Sequence, residues 1–322
     1  MQKISNSGFN LIRIPIGYWA YDNSNSPYVT GAAPYLDTAI SWARDFGIKV
    51  LIDLHGVPGS QNGFDNSGQK MPTPQWQSVD PGATKTLAVL AQIQNKYGDS
   101  SYDDVIAGIE VVNEPLTSEL NFDDVKTYET NAYNQQRQSS QSRVVVIQDG
   151  FQQPNSYNGF LSPSDNNAQN VAVDHHEYQV FTDEFVAMVP WQHRQYVCNN
   201  APTYSGADKW TFVGEWTAAM TDCAPALNGY TIGARYDGTY PGSSYVASCA
   251  TFNFLDQWNQ SYIEDTRSYI EAQMEAFEAN TQGWIFWNFK TEESAEWDAF
   301  RLIDAGIFPQ PLTSRNFSSI CA

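Results

Sequence analysis

Two glutamates, Glu114 in "VVNEP" and Glu215 in "VGEW", each close an apolar run that otherwise reads as a buried β-strand. Neither has a basic neighbour in sequence to neutralise it. A pair of carboxyl groups facing each other across a cleft can cut a glycosidic bond. One protonates the leaving oxygen, and the other attacks the anomeric carbon or activates water. The plainer reading is two surface glutamates in separate ion pairs, which holds for most pairs taken at random. The company they keep weighs against it. Arg13 in "RIP", His55 in "DLHG", Asn113 beside Glu114, His176 and Tyr178 in "DHHEY", and Trp287, Asn288 and Lys290 in "WNFK" also stand at the ends of apolar runs. A plain core strand would run into Gly, Asn or Ser turn chemistry instead.

The elements that must position these groups are legible as rhythm. Seven runs read as strands: 9–16, 48–54, 105–113, 143–149, 171–175, 211–216 and 284–289. Most are apolar on both alternations, as in a parallel sheet covered on both faces. Helical spacing recurs between them. Leu36, Ile40, Ala43 and Phe46 share a stripe ended by Gly47, Leu87, Leu90 and Gln94 one ended by Gly98, and Ile263, Ile270, Met274 and Phe277 a third. Strand–helix alternation with no G-x-G-x-x-G fingerprint predicts an α/β fold, the (β/α)8 TIM barrel, which presents its catalytic groups at the C-terminal ends of the strands. Such a barrel needs eight strands. The first run follows what reads as the end of a helix, so the chain is expected to be one catalytic domain, 1–322, lacking its first strand. Residues 228–250 are Gly/Tyr/Ser-rich and read as a long loop.

Composition excludes several functions. The net charge is −19 and charged residues are only 16% of the 322, which opposes binding to nucleic acid or an anionic membrane. No apolar stretch approaches the length of a membrane span. Aromatics reach 14%, and flat rings suit the C–H faces of sugars as well as they suit a core. Cys198, Cys223, Cys249 and Cys321 lack C-x-x-C spacing, so two disulfides in an oxidising compartment are expected, with three pairings open. Sequons at Asn259 and Asn316 point the same way, although "MQKISNSGFN" carries no export signal. Neither metal nor cofactor is expected. The adjacent His175 and His176 point to opposite faces of a strand, so one imidazole at most faces the site, and His175 and Phe289 are read as core. No G-x-S-x-G elbow or phosphate loop supports acyl transfer or nucleotide chemistry.

The ordered set "RIPIGYWA", "DLHGVPGSQNGFDNSG", "NEP", "HHEYQVF", "GEW" and "GWIFWNFK" resembles glycoside hydrolase family 5, more narrowly the fungal exo-β-1,3-glucanases. That resemblance runs from Gly8 to the C-terminus. It implies a retaining exo-β-1,3-glucosidase that releases glucose from the non-reducing end of β-1,3-glucan through a covalent glycosyl-enzyme, with Glu114 as acid/base and Glu215 as nucleophile. By the same resemblance Arg13 hydrogen-bonds the nucleophile, and Asn113 reaches the sugar 2-hydroxyl. His55, His176 and Tyr178 line the −1 subsite, Trp287 lies beneath that sugar, and Phe64 and Phe181 clamp the mouth. It further implies the pairs Cys223–Cys249 and Cys198–Cys321, and secretion to the medium or cell wall. A monomer is expected. Relatives carry a first strand with a "GGW"-type start and a sugar-contacting acid ahead of "RIPIGYW", both absent from this sequence. The alternatives are an endo-acting β-1,6- or β-1,4-glucanase on the same fold, or a non-catalytic glucan-binding remnant.

Overall fold

Runs rich in Val and Ile become strands because branched side chains pack on a pleated surface and lose little freedom there. In the computed structural model, which describes residues 1–317 and 319–321, these are β1 (Leu11–Gly17), β2 (Lys49–Gly56), β3 (Ile106–Glu110), β4 (Val144–Gln148), β5 (Val171–Glu177), β6 (Trp210–Trp216) and β7 (Trp284–Phe286). All seven expected runs form strands, with ends shifted by at most three residues. The chain divides into two compact units, Met1–His175 with Gly206–Thr211, and His176–Ser205 with Phe212–Ala322.

In the first unit each strand pairs parallel with the next, β1 with β2, β2 with β3, β3 with β4 and β4 with β5. The register sets Pro15 beside Asp53 and Asp53 beside Glu110, so these positions share one level and one face. Val50, Leu51, Ile52 and Leu54 are all buried, as expected of a strand covered on both sides. The helix Ala33–Asp45 buries Leu36, Ile40 and Ala43. Gly47 follows at φ +66°, the left-handed position that turns the chain back into β2. The helix Thr84–Tyr97 buries Val89, Leu90, Ile93, Gln94 and Tyr97, while Leu87 from the expected stripe is only half-buried. Buried Gln94 donates to the Ala132 carbonyl at 3.0 Å and accepts from Gln135 at 2.8 Å, which ties this helix to the helix Phe122–Ser139.

In the second unit β6 pairs parallel with β7. The helix Gln260–Asn280 is buried continuously from Thr266 to Met274, more than the single apolar face expected, and Ile263 is only half-buried. It packs along the helix Pro190–Tyr204. Two disulfides join Cys198 to Cys321 and Cys223 to Cys249, the pairing that the resemblance implies. Residues 228–250 contain no helix or strand, as expected of the long loop. Buried Asp222 organises that loop, accepting from Arg235 N at 2.7 Å, Tyr236 N at 2.9 Å and Asn228 Nδ2 at 2.9 Å. Phe289 is a correction. It is 53% exposed, because it lies beyond β7 in a turn that rests one ring edge on Phe300.

Candidate active site

Arg13, His55, Phe64, Asn113 and Glu114 lie in the first unit, and His176, Tyr178, Phe181, Glu215 and Trp287 in the second. In the first unit the frame is Arg13. It sits within β1 rather than at its end, and its long stem carries the guanidinium up to the level of Asp53 and Glu110. Nε meets Glu110 Oε2 at 2.8 Å, and Nη2 reaches Asp53 Oδ2 at 3.1 Å and Asn113 Oδ1 at 2.7 Å. Asp174 adds a third carboxylate at 3.6 Å. Burial pushes the Glu110 carboxyl well above the ordinary range against the pull of Arg13, and the charges of Asp53 and Asp174 push it further the same way.

This cluster fixes the outer groups. Because Asn113 Oδ1 accepts from Arg13, its Nδ2 must turn the other way, and it lies 3.5 Å from Glu114 Oε2. Asn66 Nδ2 donates to the same oxygen at 2.9 Å. His55 Nδ1 meets Asp53 Oδ2 at 2.6 Å, which holds that nitrogen protonated and aims Nε2 away from the cluster. Gln61 Nε2 donates to the carbonyls of His55 and Asn113, both at 2.8 Å, and so pins the two rim segments together. Glu114 is 5% exposed and adopts φ +42°, a left-handed conformation that costs a residue with a Cβ about 1–2 kcal/mol. The backbone turns out of the β3 direction at the residue whose side chain must be presented. His175, read as core, is buried with Nδ1 on Asp149 Oδ2 at 2.5 Å.

In the second unit β6 alternates. Trp216 is fully buried among Phe277, Trp284, Phe286 and Phe308, with ring centroids between 4.9 and 6.1 Å. Glu215, one residue earlier, therefore points to the opposite face. It is 5% exposed, accepts from the Tyr178 hydroxyl at 2.8 Å and has His176 Nδ1 at 3.6 Å. Tyr178 lies between Phe181, edge-on at 5.6 Å, and Trp297, at 5.5 Å. The Trp287 amide donates to the Trp216 carbonyl at 2.8 Å, which places its half-buried ring just past β7. A cavity of about 470 Å³ opens here, lined by Leu227, Asn288, Thr291, Glu292, Glu293 and Trp297. Phe64 and Phe181 are 44% and 40% exposed, well out of the core as a clamp would need. Lys290 is exposed.

Several of these groups were not singled out from the sequence. Asp53, Glu110 and Asp174 sit inside runs read as plain strands, although a carboxylate within such a run was itself a signal. Asn66 and Gln61 lie within the "DLHGVPGSQNGFDNSG" block but have no periodicity to mark them. Phe151, edge-on to Phe64 at 5.9 Å and 48% exposed, and Trp297 are loop residues of the same kind.

Residues 1–234 match the family model Cellulase (glycosyl hydrolase family 5). The chain is 42% identical over 317 residues to a glucan 1,3-beta-glucosidase of Yarrowia lipolytica, covering 98% of this chain and 75% of that protein. To a glucan 1,3-beta-glucosidase of Blumeria graminis it is 44% identical over 330 residues, covering 99% and 74%. Among solved structures, a rutinosidase from Aspergillus niger superposes with TM-score 0.71 at 18% identity, over 96% of this chain and 81% of that one. The cellulose synthase subunit Z from Clostridioides difficile does so with TM-score 0.59 at 16% identity, over 97% and 90%. At such identities the likeness concerns the fold, and that fold is the (β/α)8 barrel.

Proposed function

The chain belongs to glycosyl hydrolase family 5, and from that premise we propose that it is a glucan 1,3-β-glucosidase, releasing glucose from the non-reducing ends of β-1,3-glucan with retention of configuration. Glu114 protonates the departing glycosidic oxygen while Glu215 attacks the anomeric carbon, and Glu114 then deprotonates the water that frees the sugar. The observation that carries this reading is the shared setting of the two glutamates. Each is almost fully buried just past or within a strand end, and each accepts a hydrogen bond from a side chain, Asn66 for Glu114 and Tyr178 for Glu215. Such bonds hold a carboxyl group in the orientation that proton transfer or attack requires.

The other residues follow from their attachments. Asn113, its amide turned by Arg13, offers Nδ2 to the sugar 2-hydroxyl, a bond that strengthens as the oxocarbenium-like transition state forms. In this reading His55 and His176 contact the bound sugar, and Trp287 offers it a flat ring face. Phe64 and Phe181, both with exposed faces, hold the next glucosyl unit at the mouth. The two disulfides fit an oxidising destination, the medium or the cell wall.

Product analysis on laminarin, β-1,6-glucan and carboxymethylcellulose side by side tests the assignment. Glucose, initially as the β-anomer by NMR, should come from laminarin. Glu114→Gln should lower kcat about 10²–10⁴-fold, the usual worth of a general acid. Glu215→Gln should abolish turnover. Oligosaccharides from either of the other polymers would favour the endo-acting reading, and no product from any would leave a glucan-binding protein without turnover.

A further inference from the structure

One buried carboxyl has no part in the roles assigned so far. Glu296, in the short turn Ala295–Trp297, is completely buried, and among the described residues its carboxyl meets only neutral donors. Oε1 accepts from Met220 N at 3.4 Å and from the Tyr262 hydroxyl, and Oε2 accepts from Thr221 Oγ1 at 3.1 Å. Its own carbonyl accepts from Thr217 Oγ1 at 3.2 Å. Thr217, Met220 and Thr221 all belong to the segment that leaves β6 directly behind Glu215. The next residue, Trp297, packs on Tyr178, which holds Glu215, and its carbonyl accepts from Asn288 N at 2.9 Å. Two consecutive residues thus join the segment behind Glu215, the turn after Trp287, and Tyr178.

We propose that Glu296 is a positioning residue for Glu215. It knots the segment behind the nucleophile to the turn carrying Trp287, its carboxyl accepting from Met220 N and Thr221 and its carbonyl from Thr217. The role rests on the assignment of Glu215 above. Burial pushes the Glu296 carboxyl up to about 7, against the pull of Tyr262, Met220 N and Thr221, with the charge of Asp222 adding to the rise. The groups facing it are few. Asp222 comes from the segment after β6 and is itself paired with Arg235 at 3.4 Å. Tyr262 and Tyr269 come from the helix Gln260–Asn280 and Tyr236 from the long loop, all three held above their ordinary range and so neutral. The native state therefore holds one more proton than the unfolded chain between about pH 4.5 and 7, and stability falls as pH rises through that window.

The test compares wild type, Glu296→Gln and Glu296→Ala for melting temperature and for kcat and KM on laminarin from pH 5 to 8.5. Glu296→Ala should lose about tenfold to a hundredfold in kcat at pH 5 with KM little changed, the size of a misplacement effect. Glu296→Gln should recover most of that loss and gain melting temperature over wild type progressively as pH rises. A Gln variant that keeps the wild-type melting slope would show that Glu296 does not titrate in this window. An Ala variant with full kcat at pH 5 would overturn the positioning role. A wild type unable to cut laminarin would remove the hydrolase reading and the positioning role with it, while the melting comparison still decides whether Glu296 titrates.

Discussion

Arg13 is the residue on which the candidate site groups of the first unit turn. Its guanidinium is buried with Asp53 and Glu110 against it and Asp174 nearby, so replacing it removes the cation that these carboxylates share. Breaking a buried pair by deleting one partner costs about 3–5 kcal/mol. Arg13→Met should therefore lower unfolding stability by that order in urea titration. Its kcat should fall as well, because Asn113 loses the bond that sets its amide. Arg13→Lys should not rescue either, since an ammonium cannot present the fork that reaches three groups at once. A rise in stability on Arg13→Met would show that burial of the charges already outweighs their attraction. Arg13 was legible in the sequence because a cation interrupts an apolar run. That Asp53 and Glu110 are its partners was not, because only strand register reveals that the two share a level.

At the scale of elements, the strands were readable and part of the helical layer was not. All seven strands follow from short apolar runs, most of them β-branched and β7 aromatic. The helix Phe122–Ser139 escaped notice because its buried face is Val125, Tyr128, Glu129, Ala132, Tyr133 and Gln136, correct in spacing but mostly polar or aromatic in kind. The helix Pro190–Tyr204 hides in the same way, with His193 on its buried face and Pro202 in its last turn. Loops carry no period, so Asn66, Phe151, Glu296 and Trp297 could be found only in three dimensions. β6 shows what an element contributes to chemistry. The aromatic nest around Trp216 clamps one face of the strand so that Glu215 on the other face is held still. Trp216→Ala should cost about 3–5 kcal/mol, the usual loss for a buried tryptophan. Its kcat should fall even at temperatures where the variant remains folded by circular dichroism. Full activity in a folded variant would mean that the nest is packing alone.

Across the whole molecule, acid tolerance depends on a group far from the glutamates in sequence. His193 is completely buried with Nδ1 on Gln179, and burial pushes its imidazole down to about 4. A histidine depressed in the native state binds fewer protons there than when unfolded. Its stability is therefore present above about pH 6.5 and is lost as pH falls toward 4. At about 1.4 kcal/mol per pKa unit the loss is a few kcal/mol. His193→Gln should leave the opposing Glu296 slope uncompensated, so that its melting temperature rises as pH falls from 6.5 to 4.5, and a profile no different from wild type would show that His193 does not titrate there. That slope runs opposite to the one from Glu296, so over mildly acid pH the two should offset and leave stability nearly level.

The bridge from Cys198 to Cys321 spans 123 positions. A protease that severs the exposed loop around Tyr230 or Tyr245 would make two fragments still leashed to each other. Clipped enzyme would then run as a single full-length band on an ordinary gel and fall into two only after thiol treatment. Harvested material could look intact while already cut, and only a reduced lane beside the untreated one would reveal it.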